Sequence, residues 1–303
     1  MKSLLALLAI VSFVGAQPAV SALEKEFARI SALGAATVGA SVIHIESGRK
    51  ASLRGEERFP MASAFKVPIA FELLRRIDAG EDKMERMVTL QPSDFHPGSG
   101  TLTALFRPPG FDQPGVALSL RHLLELMLLI SDNSATDVLL REVGGPGPVN
   151  AVLAKSGITG IEVSGPTEEM IRNWRQNGTG LEDKLRNTST PGAMAELLAR
   201  IFRREGLTPA SGDLFLDILR RCQTGNARLK GMLPEGTLVM HKTGTLGGVA
   251  NDVGIIRLPG DAGHLAIAVF VKGADAATTE KRDRAIAEIA RAAHDYFLFA
   301  PVQ

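Results

Sequence analysis

Apolar positions along the chain follow two rhythms, and the switch between them outlines the fold. Leu23, Phe27, Ile30 and Leu33 recur at helical spacing and predict a short amphipathic helix. From 37 to 45 the residues alternate and are largely β-branched, then turn at Ser47-Gly48, which reads as a hairpin. The middle, roughly 63–220, is mostly helical in rhythm, with i, i+3, i+4 apolar spacing over 71–77, 118–130, 135–142 and 193–203. Pro and Gly clusters at 97–100, 108–114 and 144–148 separate these stretches. Strand rhythm returns over 237–242, 250–258 and 264–271, and a long helix is predicted over 276–297. Strand-rich ends flanking a helical middle predict one antiparallel sheet built from both ends of the chain. The expected class is α/β of the α+β type. Residues 23–60 and 221–303 would form the sheet-containing part, and 61–220 an inserted all-helical part.

The first 22 residues stand apart. Lys2 precedes an apolar run over 4–14, followed by small-residue exits at Val14-Gly15-Ala16 and Val20-Ser21-Ala22. That order, with a run too short to span a bilayer, predicts a cleaved secretory signal peptide, cut after Ala16 or Ala22. At 303 residues, 45% hydrophobic and 22% charged, the chain can bury a sizeable core. Losing Lys2 takes the basic count from 34 to 33, equal to the acids, so the formal charge of +1 vanishes. A neutral mature chain argues against nucleic acid or an anionic membrane surface as partner. Cys222 is the only cysteine, which excludes an internal disulfide and a lipid anchor on an N-terminal cysteine. Histidines 44, 96, 122, 241, 264 and 294 show neither H-x-H nor H-x-x-x-H spacing, so zinc hydrolysis is not expected. Lys242-Thr243 follows Met240-His241 rather than the glycine of a phosphate loop. The expectation is a periplasmic or secreted monomer acting on a small molecule, with no membrane anchor, metal or cofactor.

Without thiol or zinc chemistry, a serine needs another base. Ser63-Ala64-Phe65-Lys66 offers a lysine one helical turn from a serine. A helix N-terminus there favours an alkoxide and disfavours a protonated lysine, and both effects activate the serine. Ser47-Gly48-Arg49-Lys50 has the same spacing on a glycine turn, where neither helix nor burial is expected. Ser63 is distinguished by two further triplets. Ser131-Asp132-Asn133 falls between two helical stretches, and Lys242-Thr243-Gly244 ends a strand before Thr245 and a Gly247-Gly248 turn. A strand glycine at 244 lets a substrate backbone lie close. Lys242, with the hydroxyls of Thr243 and Thr245, could hold a carboxylate, and the backbone N–H groups of Ser63 and Thr245 could face an oxyanion.

Those three motifs in this order resemble the penicilloyl-serine enzymes, most closely class A β-lactamases. The resemblance covers nearly the whole mature chain, through 61–68, 127–140 and 241–256. It implies a β-lactamase/transpeptidase-like fold with a five-stranded antiparallel sheet, flanking helices and a helical insert. It also implies that Ser63 is acylated by a β-lactam, that Lys66 helps activate it, and that Ser131 relays a proton to the leaving nitrogen. Asn133 would hold Lys66 and the substrate's amide side chain. Within Thr224-Gly225-Asn226-Ala227-Arg228, Arg228 would reach the substrate carboxylate, since Val253 lies near the strand position where relatives carry an arginine. The alternative is a surface arginine paired with Glu235 or Asp252.

The family's loop motif R-x-E-x-x-L-N, closed by R-D-T-T-T-P, supplies a glutamate that activates the deacylating water. Here the closing part reads Arg186-Asn187-Thr188-Ser189-Thr190-Pro191, whereas Gly165 stands at the arginine and Thr167 at the glutamate. Both partners of the family's loop salt bridge are thus replaced together, by Gly165 and Asn187. Glu168 and Glu169 remain candidate bases, or ordinary acids at a helix start. The stretch 105–116, rich in Pro and Gly, looks longer than usual for the family; it reads first as a plain surface loop, and alternatively as a border of the cleft. The function expected is a secreted serine hydrolase opening β-lactam rings through an acyl-enzyme on Ser63. Alternatives are a D-alanyl peptidase, transpeptidase or esterase with slow deacylation, or a non-catalytic β-lactam sensor.

Overall fold

The computed structural model describes residues 20–33, 36–95, 98–106, 115–177, 187–273 and 278–299. The segments 108–114 and most of the N-terminal leader, with Ala16, lie outside them. Helix α1 (Val20–Ala32) leads into the hairpin β1 (Thr37–His44) and β2 (Lys50–Leu53). After β3 (Phe59–Pro60), a 3-10 turn at Ala62–Phe65 runs directly into α2 (Lys66–Asp78). Next come β4 (Met87–Thr89), α3 (Leu102–Phe106), β5 (Ala117–Ser119), α4 (Leu120–Leu129), α5 (Asn133–Glu142) and α6 (Pro146–Lys155). They are followed by β6 (Ile161–Glu162), α7 (Thr167–Asn177), β7 (Thr188–Ser189), α8 (Pro191–Phe202) and α9 (Pro209–Arg220). The chain returns to the sheet with β8 (Val239–Leu246), β9 (Val249–Arg257) and β10 (His264–Lys272), and α10 (Thr279–Phe299) packs behind it.

The five-stranded sheet runs β2-β1-β10-β9-β8, antiparallel throughout, with Thr37 opposite Lys272 and Lys242 opposite Val253. Both of its faces are covered, which is why β10 reads as an almost unbroken apolar run. One face, including Val42, Ile256 and Ile267, packs with Phe27 of α1 and Ile289 of α10. The other, including Ile43, Val253 and Phe270, joins the larger core with Leu73, Leu124, Leu139 and Leu198.

Local chemistry sets several boundaries that periodicity alone misses. The helix expected over 118–130 starts two residues later, at Leu120, because 117–119 pair with β4 and Ser119 then caps α4 by accepting the His122 N–H at 3.2 Å. Gly144 and Gly145 adopt positive φ, and Pro146 opens α6 at its first position. The helical middle also carries four short strands, β4 to β7, which are too brief for alternation to reveal. No helix among the described residues is long and apolar enough to cross a membrane.

Candidate active site

The nucleophile turn owes its shape to two neighbours. Ala62 has φ +42 and Ser131 φ +60, a region that costs a non-glycine residue about 1–2 kcal/mol. Such strain persists only where surroundings enforce it. Asn251 on β9 supplies part of that enforcement, its Nδ2 donating to the carbonyls of Pro60 at 2.8 Å and Met61 at 2.9 Å. Gly244 adds to it at the Ala62 turn: a Cβ there would lie 2.4 Å from the Met61 carbonyl oxygen. β8 and the Ser63 turn therefore approach as closely as backbones can, and only glycine fits between them. The pairing register places Asn251 opposite Gly244, and Val253 opposite Lys242.

Lys66 is fully buried one turn after Ser63, at the start of α2. Its Nζ lies 2.7 Å from the Ser131 carbonyl oxygen, 3.0 Å from Ser131 Oγ and 2.9 Å from Asn133 Oδ1. Burial, then the positive charge of Lys242, pushes its pKa well below the ordinary lysine value, against the opposing pull of Asp137 and Asp132. A neutral amine suits these partners, donating to the two carbonyl oxygens and accepting from the hydroxyl. Ser63 and Ser131 keep 8% and 6% of their surface exposed, so the hydroxyls sit at the edge of the cleft.

Asp132 ties the neighbouring loop to this centre, accepting the N–H groups of Thr101 at 2.7 Å, Leu102 at 2.9 Å and Ala135 at 2.9 Å. Lys242 is also fully buried, donating to the Thr243 carbonyl at 2.8 Å, and burial lowers its pKa to about 8. Thr243 Oγ1 meets Thr224 Oγ1 at 2.6 Å.

Arg228 is not a surface arginine, and neither Glu235 nor Asp252 is its partner. It is 6% exposed, with Nε on Asp283 of α10 at 2.8 Å, Nη1 on the carbonyls of Gly244 and Asn251, and Nη2 on Thr245 Oγ1 at 2.8 Å. The structure thus brings Ser63, Lys66, Ser131 and Asn133 together beside a wall made by Lys242, Thr243, Gly244, Thr245 and Arg228. The roles of Asn251 and Asp283 are invisible in the sequence, since each contact spans a long stretch of chain.

The segment 163–168 is held differently, by Asn187 and Asp137. Asn187 accepts the N–H groups of Ser164 at 2.7 Å and Gly165 at 3.3 Å, and donates to the Gly165 carbonyl at 3.0 Å. An amide thus links the two positions where the family uses an ion pair. Asp137 on α5 accepts the N–H groups of Thr167 at 2.7 Å and Glu168 at 3.0 Å, fixing the start of α7. Thr167 is completely buried, its Oγ1 donating to the Asn133 carbonyl at 3.3 Å.

Ile171, one turn on from Thr167, shares that face. A Cβ on Gly98 would lie 2.2 Å from Asn133 Nδ2 and 3.3 Å from Ile171 Cδ1. At about 100° per residue, Glu168 and Glu169 fall away from the Thr167–Ile171 face. Glu168 faces solvent beside Arg172 at 3.7 Å, and the Glu169 carboxylate folds back toward Gly165. Among the described residues, no group of three or more His, Cys, Asp or Glu side chains could hold a metal ion.

The sequence profile of a β-lactamase enzyme family matches residues 22–297. β-Lactamase VEB-1 of Pseudomonas aeruginosa is 32% identical over 272 residues, covering 87% of this chain and 86% of the relative. The crystal structure of the TLA-1 extended-spectrum β-lactamase superposes with a TM-score of 0.83 at 30% identity, covering 92% of this chain and 99% of that one. A leucine-to-glutamate mutant of PBP-A, solved as an acyl-enzyme complex with penicillin G, superposes with a TM-score of 0.78 at 27% identity, covering 93% and 97%.

Proposed function

The chain belongs to the β-lactamase enzyme family and is a serine hydrolase of β-lactams; from that premise we propose how its residues divide the reaction. Ser63 Oγ attacks the lactam carbonyl and loses its proton to the neutral Lys66 amine. Ser131, hydrogen-bonded to the same amine, passes a proton to the departing nitrogen. Asn133 holds Lys66 and receives the substrate's amide side chain. The backbone N–H groups of Ser63 and Thr245 stabilise the oxyanion. Lys242, Thr243, Thr245 and Arg228 bind the substrate carboxylate, with Gly244 leaving room for the substrate backbone. The observation that carries this reading is the buried Lys66 amine, met at 2.7–3.0 Å by Ser131 and Asn133.

A second reading, with acylation fast and deacylation slow, is favoured by one specific observation. The α7 face that touches Asn133 presents buried Thr167, and Glu168 turns to Arg172 in solvent. In that case the protein behaves as a penicillin-binding enzyme toward D-alanyl or ester substrates, and its acyl-enzyme persists. The PBP-A acyl-enzyme complex with penicillin G supports the plausibility of such an intermediate on this fold. We further read the N-terminal leader as a signal peptide and the mature protein as an exported monomer with no membrane anchor. Residues 23–60 with 221–303, and 61–220, are read as two lobes meeting at the cleft. Among the described side chains of α1, Leu23 is the first that is buried.

Incubation with a chromogenic cephalosporin and with penicillin, followed by colour and intact mass, tests both readings. Sustained turnover that is lost in Ser63→Ala supports the first. A lasting adduct on Ser63 with little turnover supports the second. Neither turnover nor adduct overturns both.

A further inference from the structure

Behind the carboxylate-binding wall lies a buried histidine–carboxylate pair that the reaction above does not use. His241 and Asp252 are both completely buried, on adjacent strands β8 and β9. A carboxylate only accepts, so His241 Nδ1 carries the proton and donates to both Asp252 oxygens, each at 2.9 Å. Asp252 Oδ2 also accepts the backbone N–H of Leu229, the residue after Arg228, at 3.1 Å. Gly254 stands opposite His241, and a Cβ there would lie 2.3 Å from the Met240 carbonyl oxygen and 2.8 Å from His241 Cα, so only glycine lets β9 pass this close to β8. Asp252 is opposite Thr243 and therefore faces the back of the strand whose front carries Lys242.

We propose that Asp252 is a positioning residue for recognition of the substrate carboxylate, keeping Lys242 cationic from behind the sheet and anchoring the Arg228 turn, with His241 as its buried support. The proposal rests on the reading of Lys242 and Arg228 as carboxylate binders. Its electrostatic logic follows from the charged groups around Lys242. Arg228, on the turn after α9, is cationic and disfavours a second ammonium at Lys242, whereas Lys66 on α2 is the neutral amine described above. Asp283 of α10 is committed to Arg228 at 2.8 Å. Cys222, after α9, and Asp252 on β9 are the groups that favour the charged lysine, and Asp252 is the carboxylate between them. With a pKa of about 8, Lys242 is mostly charged at neutral pH but has little reserve. Removing the Asp252 charge withdraws that support and shifts the Lys242 pKa further down.

Asp252→Asn separates charge from shape. The amide oxygen still accepts the Leu229 N–H, and its NH2 donates to His241 Nδ1 in the other tautomer. The test is kcat/KM between pH 6 and 9 for a penicillin with a free carboxylate and for its methyl ester. In Asp252→Asn the alkaline limb of the acid-to-ester ratio should move down by about one pH unit. At pH 7.5 the KM of the acid should rise several-fold with kcat nearly unchanged, and the ester profile should stay in place. Asp252→Glu, which restores the charge, should return the limb toward its original position.

An unmoved limb in Asp252→Asn, or equal losses for acid and ester, overturns the proposal. Should that variant not fold, the double replacement Asp252→Asn with His241→Asn, a neutral amide pair, is judged by the same two outcomes. Lys242→Met separates this from the reading beneath it. If that variant keeps its preference for acid over ester, the assignment of Lys242 fails, whatever Asp252 does.

Discussion

Around Lys66 two of the three contacts join side chain to side chain, whereas those that Asn187 and Asp137 make to residues 164–168 join side chain to backbone. Lys66, Ser131 and Asn133 constrain one another's chemistry, so few residue types fit any of the three positions. Asn187 and Asp137 hold N–H and C=O groups of residues 164–168, which any residue but proline supplies in full. The first arrangement fixes the reagents. The second fixes the path of the chain and leaves the presented side chain open to change. A threonine can therefore stand where relatives carry a base without unravelling the loop.

The largest effect should come from the rigid half. Lys66→Ala should slow acylation by about 10² to 10⁴-fold, read as the rate of adduct formation on Ser63 by quenched-flow mass spectrometry. A loss below tenfold would mean that another base serves the serine. Thr167→Glu tests the permissive half, placing a carboxylate on the α7 face that meets Asn133. It should accelerate deacylation by roughly 10²-fold, measured as decay of the isolated acyl-enzyme, while leaving acylation little changed. No acceleration in a folded variant would show that the loop lacks a place for the water.

A smaller effect is expected at the pin itself. Asn187→Ala leaves the Ser164 and Gly165 N–H groups without their acceptor and keeps φ at +56, so urea denaturation should show a loss of about 2–3 kcal/mol. If stability falls by less than about 0.5 kcal/mol, the amide is not what holds the loop. The smallest effect belongs to Glu168→Gln. Its solvent-exposed pairing with Arg172 is worth at most about 1 kcal/mol, and deacylation should stay within twofold. A large drop in deacylation would restore Glu168 as the base and end the contrast between the two regions.

What could be read in advance follows the same division. Ser63 and Lys66 are one helical turn apart, and Ser131-Asp132-Asn133 and Lys242-Thr243-Gly244 are contiguous, so local spacing was enough to flag them. The rhythm switch at both ends of the helical middle likewise exposed the sheet, because its strands are long and buried on both faces. Arg228 shows where such reading stops. Its partner Asp283 lies 55 residues on, in a different element, and nothing local separates it from Glu235 or Asp252. Asn251 sat within a recognised stretch, yet its grip on Pro60 and Met61 depends on strand register. The turn of α7 that buries Thr167 and exposes Glu168 is set by the Asp137 carboxylate, 30 residues earlier.

The pairing of β1 with β10 and the seat of Asp283 on α10 also impose an order in time. At about 5–20 residues per second, synthesis of the whole chain takes roughly 15–60 s, and for most of that interval β1 has no central partner. The helices between can begin to collapse on their own core early, but the sheet cannot close until its last strand emerges. Arg228 acquires its counter-ion later still, when the final helix docks. A nascent chain can thus hold the lysine, the two serines and the asparagine before it has a finished surface for the substrate's anionic end.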